Sequence, residues 1–191
     1  MKLINIINNY SEQGTAPRYY LKADTALLRN NDAFYIPDGV GRVIAEPHIV
    51  LKVSRLAKYI GERFAARCIE GVMGGVAFTA IDKLDEARRE GMPWDEAVGF
   101  DHSSALSLDT LSRDAMLEGA RFYINDELRA TIAISDMRFS PDRIISHLSE
   151  TMTLRIGDLI YLGSAESFEV KAGDNYKLFI GQNRLLDFDI K

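Results

Sequence analysis

Glu46 and His48 are the pair whose residue types and spacing most directly suggest chemistry. Two positions apart in an extended segment, a carboxylate and an imidazole project from the same face. Such a pair could hold a metal ion. A hard cation such as magnesium wants several oxygen ligands and negative charges around it. One carboxylate and one imidazole offer at most a weak site for zinc, manganese or nickel. The competing reading is a His48 that hydrogen-bonds Glu46 or a backbone group in a half-buried pocket, with no metal. Other groupings are weaker. Asp101-His102-Ser103-Ser104 holds the residue types of a hydrolytic triad, but adjacent residues cannot arrange themselves as nucleophile, base and orienter. Gly71-x-x-Gly74-Gly75 precedes a strand and does not link a strand to a helix, so it is no phosphate loop. Asp85-Glu86 and Asp95-Glu96 are neighbours that point in different directions and read as solvated charge.

The elements that must position these groups are mostly strands. Val72 to Phe78 and Ile49 to Val53 are short apolar strands, and the opening apolar run through Ile7 reads as a first strand, too short for a signal peptide. Ala120 to Ile134 predicts a hairpin turning at Asn125-Asp126. Leu159 to Tyr161, Tyr176 to Ile180 and Leu185 to Ile190 close the chain as strands. One helix is expected where Leu56, Ile60, Phe64 and Cys68 recur four apart, with Lys58 and Glu62 paired on another face. A second starts at Ser140-Pro141, a cap followed by proline at the first helical position. A shorter helical turn over Asp82 to Glu90 is stopped by Gly91. The expected class is mostly β with a few packed helices, in one domain spanning 1–191. A net charge of −5 argues against nucleic acid or an anionic membrane as partner. No apolar run approaches a membrane span. Cys68 is the single cysteine, so no intrachain disulfide forms, and a cytoplasmic setting is expected.

Two longer stretches resemble the fumarylacetoacetate hydrolase family. They are Arg42-Val43-Ile44-Ala45-Glu46-Pro47-His48 and Gly75-Val76-Ala77-Phe78-Thr79-Ala80-Ile81-Asp82, running on to Gly91-Met92-Pro93-Trp94 and Phe100-Asp101. Ser135-Asp136-Met137 and Gly157-Asp158-Leu159-Ile160-Tyr161 match the family's closing segment. The resemblance implies a mixed β-sandwich roll and a homodimer. It also implies hydrolysis, decarboxylation or tautomerisation of 2-oxo and 2,4-diketo acids around a divalent cation.

The frame is kept, but the reactive groups are mostly replaced. Of the three carboxylates that the resemblance places around the cation, Glu46 remains; His48 and Ala77 stand at the other two. Where the family carries lysine, arginine and glutamine, this chain has Val98, Ile81 and Leu84. Losing both signs of charge together leaves no stranded ion, as expected of a cavity rebuilt in apolar residues. The candidate pocket therefore comprises Lys22, Ala77, Ile81, Val98 and Ser164, with Glu46 and His48 as remnants of a metal site. Lys22 is expected to neutralise Glu46 by a salt bridge, and Ser164 reads as a turn residue. The favoured expectation is a non-catalytic homodimer that binds a small organic acid or a partner and needs no cofactor. The rival is a working enzyme on a 2-oxo acid, either with an altered Mg, Mn or Zn site or by metal-free enolisation.

Overall fold

The computed structural model describes residues 1–191. Two sheets carry the fold. The first contains β1 (Leu3–Ile6), β2 (Tyr19–Lys22), β3 (Leu27–Leu28), β4 (Val43–Val53), β5 (Ile69–Ala80) and β6 (Ser104–Leu106). β7 (Ala120–Ile124) and β8 (Glu127–Ile132) belong to the second sheet; β9 (Leu159–Tyr161) and β10 (Phe168–Glu169) return to the first. β11 (Asn175–Ile180) and β12 (Asn183–Asp189) complete the second. The first sheet runs β2-β1-β9-β4-β5-β6-β3 with β10 also on β4, and the second runs β12-β11-β7-β8. This is the mixed α+β roll expected from the sequence.

β4 and β5 form its spine, paired antiparallel along their length, with Glu46 opposite Ala77 and His48 opposite Gly75. Pro47 sits inside this central strand, where a missing N–H would normally break the ladder. Val43 and Ile49 accept from Val170 and Leu162 on the side away from β5. By alternation Pro47 faces that side too, in the gap between β9 and β10, where no ladder bond is lost. One face of the spine, with Ile49, Leu51, Val76 and Phe78, enters the main hydrophobic core against the second sheet. The other face carries Glu46, His48, Val50 and Met73. The sheet curls so far that Lys22 on outer strand β2 reaches the Phe78 and Ser103 carbonyls, at 3.1 and 2.6 Å.

The hairpin turns at Asn125 and Asp126, whose φ of 53° and 65° fit the tight two-residue turn. α4 (Pro141–Thr151) is capped by the Ser140 hydroxyl, which accepts from the Arg143 N–H at 3.1 Å. α2 (Ile81–Glu90) follows β5 directly and ends at Gly91, whose φ of 68° suits glycine. α3 (Asp95–Val98) follows it. The helix expected from Leu56 to Cys68 is corrected. Only α1 (Glu62–Ala65) and a 3-10 turn to Cys68 form there. Ala57 is instead bridged to Leu154, Tyr59 has φ of 51°, and Leu56 is exposed. The Lys58–Glu62 pair is absent too: Lys58 donates to the Glu150 carbonyl. Pairing with a distant segment outweighs a four-residue apolar repeat.

Candidate active site

Glu46 lies at one end of the spine. Ile44 and Glu46 on β4, and Thr79 on β5, project from one face because they alternate with core residues. α2 starts where β5 stops, so Ile81, Leu84 and Arg88 descend one helix face above them, spaced three and four apart. Tyr20 comes from β2 and Val98 from the end of α3, with Trp94 just before it. These residues enclose a cavity of about 190 Å³. Its walls are mainly hydrocarbon and aromatic. Its ionisable groups are Glu46, Arg88 and Tyr20.

The electrostatics follow from that enclosure. Burial pushes the Glu46 carboxyl above its usual range, and the positive charges of Lys22 and Arg88 hold it partly down. Burial, then the Glu46 charge, drive the Tyr20 phenol well above its ordinary value, so it stays a neutral donor. Arg88 is positioned over the Trp94 ring, its guanidinium carbon 5.3 Å from the ring centroid, and lies 3.8 Å from Asp85.

The residues singled out from sequence divide into two groups. Ile81 and Val98 line the cavity with Glu46. Lys22, Ala77, His48 and Ser164 do not. The Lys22 ammonium is buried and donates to the Phe78 carbonyl, the Ser103 carbonyl and the Ser103 hydroxyl. No ion pair with Glu46 forms within 4.0 Å; the expected salt bridge is replaced by backbone carbonyls, and Lys22 acts on Glu46 through space. Burial lowers the Lys22 ammonium to about 7. Ala77 is fully buried beneath the site, opposite Glu46. Ser164 closes a turn, donating to the Glu166 carbonyl at 2.7 Å.

His48 shares the Glu46 face but is sealed in the roll, 2 % exposed. Its Nδ1 accepts from the Gly163 N–H at 3.1 Å, which places the proton of the neutral ring on Nε2. Nε2, the Asn5 amide and the Ser104 hydroxyl find no hydrogen-bond partner. Burial, helped by the Lys22 charge, pushes the imidazole down to about 3. Tyr161 packs edge-on against it, with 5.4 Å between ring centroids.

The donor set does not fit a divalent cation. Nowhere in the structure do three His, Cys, Asp or Glu side chains converge as a metal site would need. Glu46 is the sole carboxylate of the cavity, one imidazole nitrogen is already engaged, and the nearest charge behind both is the Lys22 cation. A cation there would meet one carboxylate, with the Arg88 guanidinium in the same wall and the buried Lys22 amine behind it.

Six cavity residues escaped the sequence reading: Ile7, Tyr20, Ile44, Thr79, Arg88 and Trp94. Two signals pointed to them. Tyr20 stands two before Lys22 on a strand, and Arg88 continues the Ile81–Leu84 helix face. What sequence could not supply is the packing of α2 and β2 over the same end of β4.

Known proteins give the frame. A family profile described as the C-terminal domain of fumarylacetoacetate hydrolase matches residues 4–186. A mitochondrial oxaloacetate tautomerase of Arabidopsis thaliana is 27% identical, covering 100% of this chain and 91% of its own length. The oxaloacetate tautomerase of Escherichia coli is 24% identical over 91% of this chain and 85% of its own. Among solved structures, a Yersinia pestis protein described as of the fumarylacetoacetate hydrolase family superposes with TM-score 0.92 at 25% identity, covering 100% and 93% of the two chains. A Pseudomonas aeruginosa fumarylpyruvate hydrolase, solved with manganese and pyruvate, superposes with TM-score 0.87 at 20% identity over 100% and 89%.

Proposed function

The chain belongs to the fumarylacetoacetate hydrolase family, and from that premise we propose that it is an acid–base enzyme that tautomerises a small 2-oxo acid without a metal ion. The observation that carries this reading is Glu46 at the floor of a small apolar cavity, with Arg88 in the same wall. A carboxylate whose affinity for protons is raised by burial is a stronger base than one in water. Arg88 pairs with the substrate carboxylate. Glu46 takes a proton from the carbon next to the carbonyl, and the neutral Tyr20 hydroxyl donates a hydrogen bond to the oxygen where charge develops. The carboxylic acid of Glu46 then returns the proton to that oxygen. No atom is gained or lost, so the step is an isomerisation. Two oxaloacetate tautomerases among the relatives support the reaction class.

The manganese of the fumarylpyruvate hydrolase belongs to a relative at 20% identity, and the donor set around Glu46 gives such an ion little to hold. The expected result is ketonisation of an enol 2-oxo acid, enol-phenylpyruvate or enol-oxaloacetate, followed by its ultraviolet absorbance, at a rate unchanged by chelator or added manganese. Glu46→Gln should lower kcat/KM by about 10²–10⁴-fold while the fold survives. Strict dependence on a divalent cation would overturn the mechanism. A second reading is favoured by the apolar walls at Ile81, Leu84 and Val98: a binding protein without turnover. Acid binding with no catalysis in either direction would select it. We further propose that residues 1–191 act as one domain, in the cytoplasm. No helix is long and apolar enough to cross a membrane.

A further inference from the structure

A second recess, about 360 Å³, opens beside the Glu46 cavity and shares Tyr20, Trp94 and Val98 with it. Leu21, Met92 and Pro93 form the rest of its apolar wall, and Asp95 is its one charged residue. Leu21 and Met92 are 43% and 57% exposed, large apolar side chains held at the mouth of a site and not packed into a core. We propose that the site takes 2-oxo acids with a bulky uncharged tail, aromatic or branched aliphatic, and that this tail lies in the Met92–Pro93 recess. The inference names the substrate class of the site proposed above and rests on that reading.

Charge and chemistry select this class over dicarboxylic acids. Arg88 is the lone cation lining the Glu46 cavity. It pairs one carboxylate. A second carboxylate on the same ligand would lie against Ile81, Leu84 and Val98, where an unpaired anion is strongly disfavoured. Turning the tail outward does not relieve it. The adjoining surface carries Glu86, Glu90, Asp95 and Glu96 against one Lys83. A hydrocarbon tail meets none of these penalties. It covers Leu21 and Met92 and stacks on the Trp94 ring opposite the face that Arg88 occupies or along its edge, so its burial adds to affinity in proportion to its apolar area.

Trp94 is the single tryptophan of the chain, so its emission reports occupancy of this wall independently of turnover. The experiment is titration of the wild-type protein with phenylpyruvate, 4-methyl-2-oxopentanoate and oxaloacetate by calorimetry, with Trp94 fluorescence reporting occupancy of the shared wall. Ketonisation of the enol forms is measured on the same samples. Phenylpyruvate and 4-methyl-2-oxopentanoate are expected to bind at least tenfold tighter than oxaloacetate and to change Trp94 emission. Met92→Gln, at an exposed position, should erase most of that preference. Equal affinities, tighter oxaloacetate binding, no phenylpyruvate binding, or a Met92→Gln variant that weakens all three acids alike would each overturn the inference. Oxaloacetate turnover without an apolar preference would leave the acid–base reading standing and remove this one. Apolar preference without turnover of any enol would do the reverse.

Discussion

Glu46 and His48 leave the same strand face two residues apart, yet meet different environments. Glu46 opens on a cavity beside Arg88; His48 is sealed behind it with an unpartnered Nε2. Their titrations pull stability in opposite directions. The His48 pKa falls to about 3 on folding. Between there and its unfolded value near 6.5 the unfolded chain binds more protons, so stability is lost as pH drops below about 6.5. Glu46 is raised on folding, so its contribution improves as pH falls toward the ordinary carboxyl range. His48→Leu should therefore flatten the loss of stability between pH 7 and pH 5, by about 2 kcal/mol relative to wild type. Chemical denaturation at the two pH values measures this. A variant with the wild-type pH slope would show that His48 keeps a near-normal pKa in the folded state.

At the scale of elements, the site depends on how closely β4, β5 and β9 pack. The Tyr161 ring leaves β9 and crosses over Gly75 of β5, and its hydroxyl donates to the Ala105 carbonyl of β6 at 3.3 Å. A Cβ at Gly75 would come within 2.6 Å of both the Tyr161 ring and Val50. The ring cannot yield without losing its place beside His48. Gly75→Ala should cost about 1–3 kcal/mol in a thermal or urea melt. A neutral substitution would mean that the ring has room to move. The same glycine looked from sequence like part of a Gly-rich run with no phosphate to bind; its role is to let an aromatic ring pass.

At the scale of the molecule, the face that carries Glu46 at one end of β4 carries a recess of about 220 Å³ at the other, lined by Met1, Met73, Leu106, Leu108 and Leu159 together with the cations Arg29 and Lys52. Leu108 and Met1 are 62% and 47% exposed. We propose that a second copy covers this end in a homodimer. Light scattering should then return twice the chain mass of 21.4 kDa; a monomer at micromolar concentration would exclude it.

The sequence alone determined the hairpin at Asn125-Asp126, the capped helix after Ser140 and the family frame. Each of these is local: turn residues, a cap, a period of two, a motif read in line. The resemblance also implied that Ala77, Ile81 and Val98 stand where the family carries charge, and Leu84 where it carries an amide. Only the tertiary structure decided that Lys22 is tied to the carbonyls of Phe78 and Ser103 and forms no ion pair with Glu46, that Arg88 and Tyr20 join the cavity, and that residues 56–61 do not form a helix. These outcomes turn on contacts between segments far apart in the chain. Where such contacts compete with a local pattern, burial and hydrogen-bond satisfaction across the sheet outweigh a few tenths of a kcal/mol of propensity or periodicity per residue.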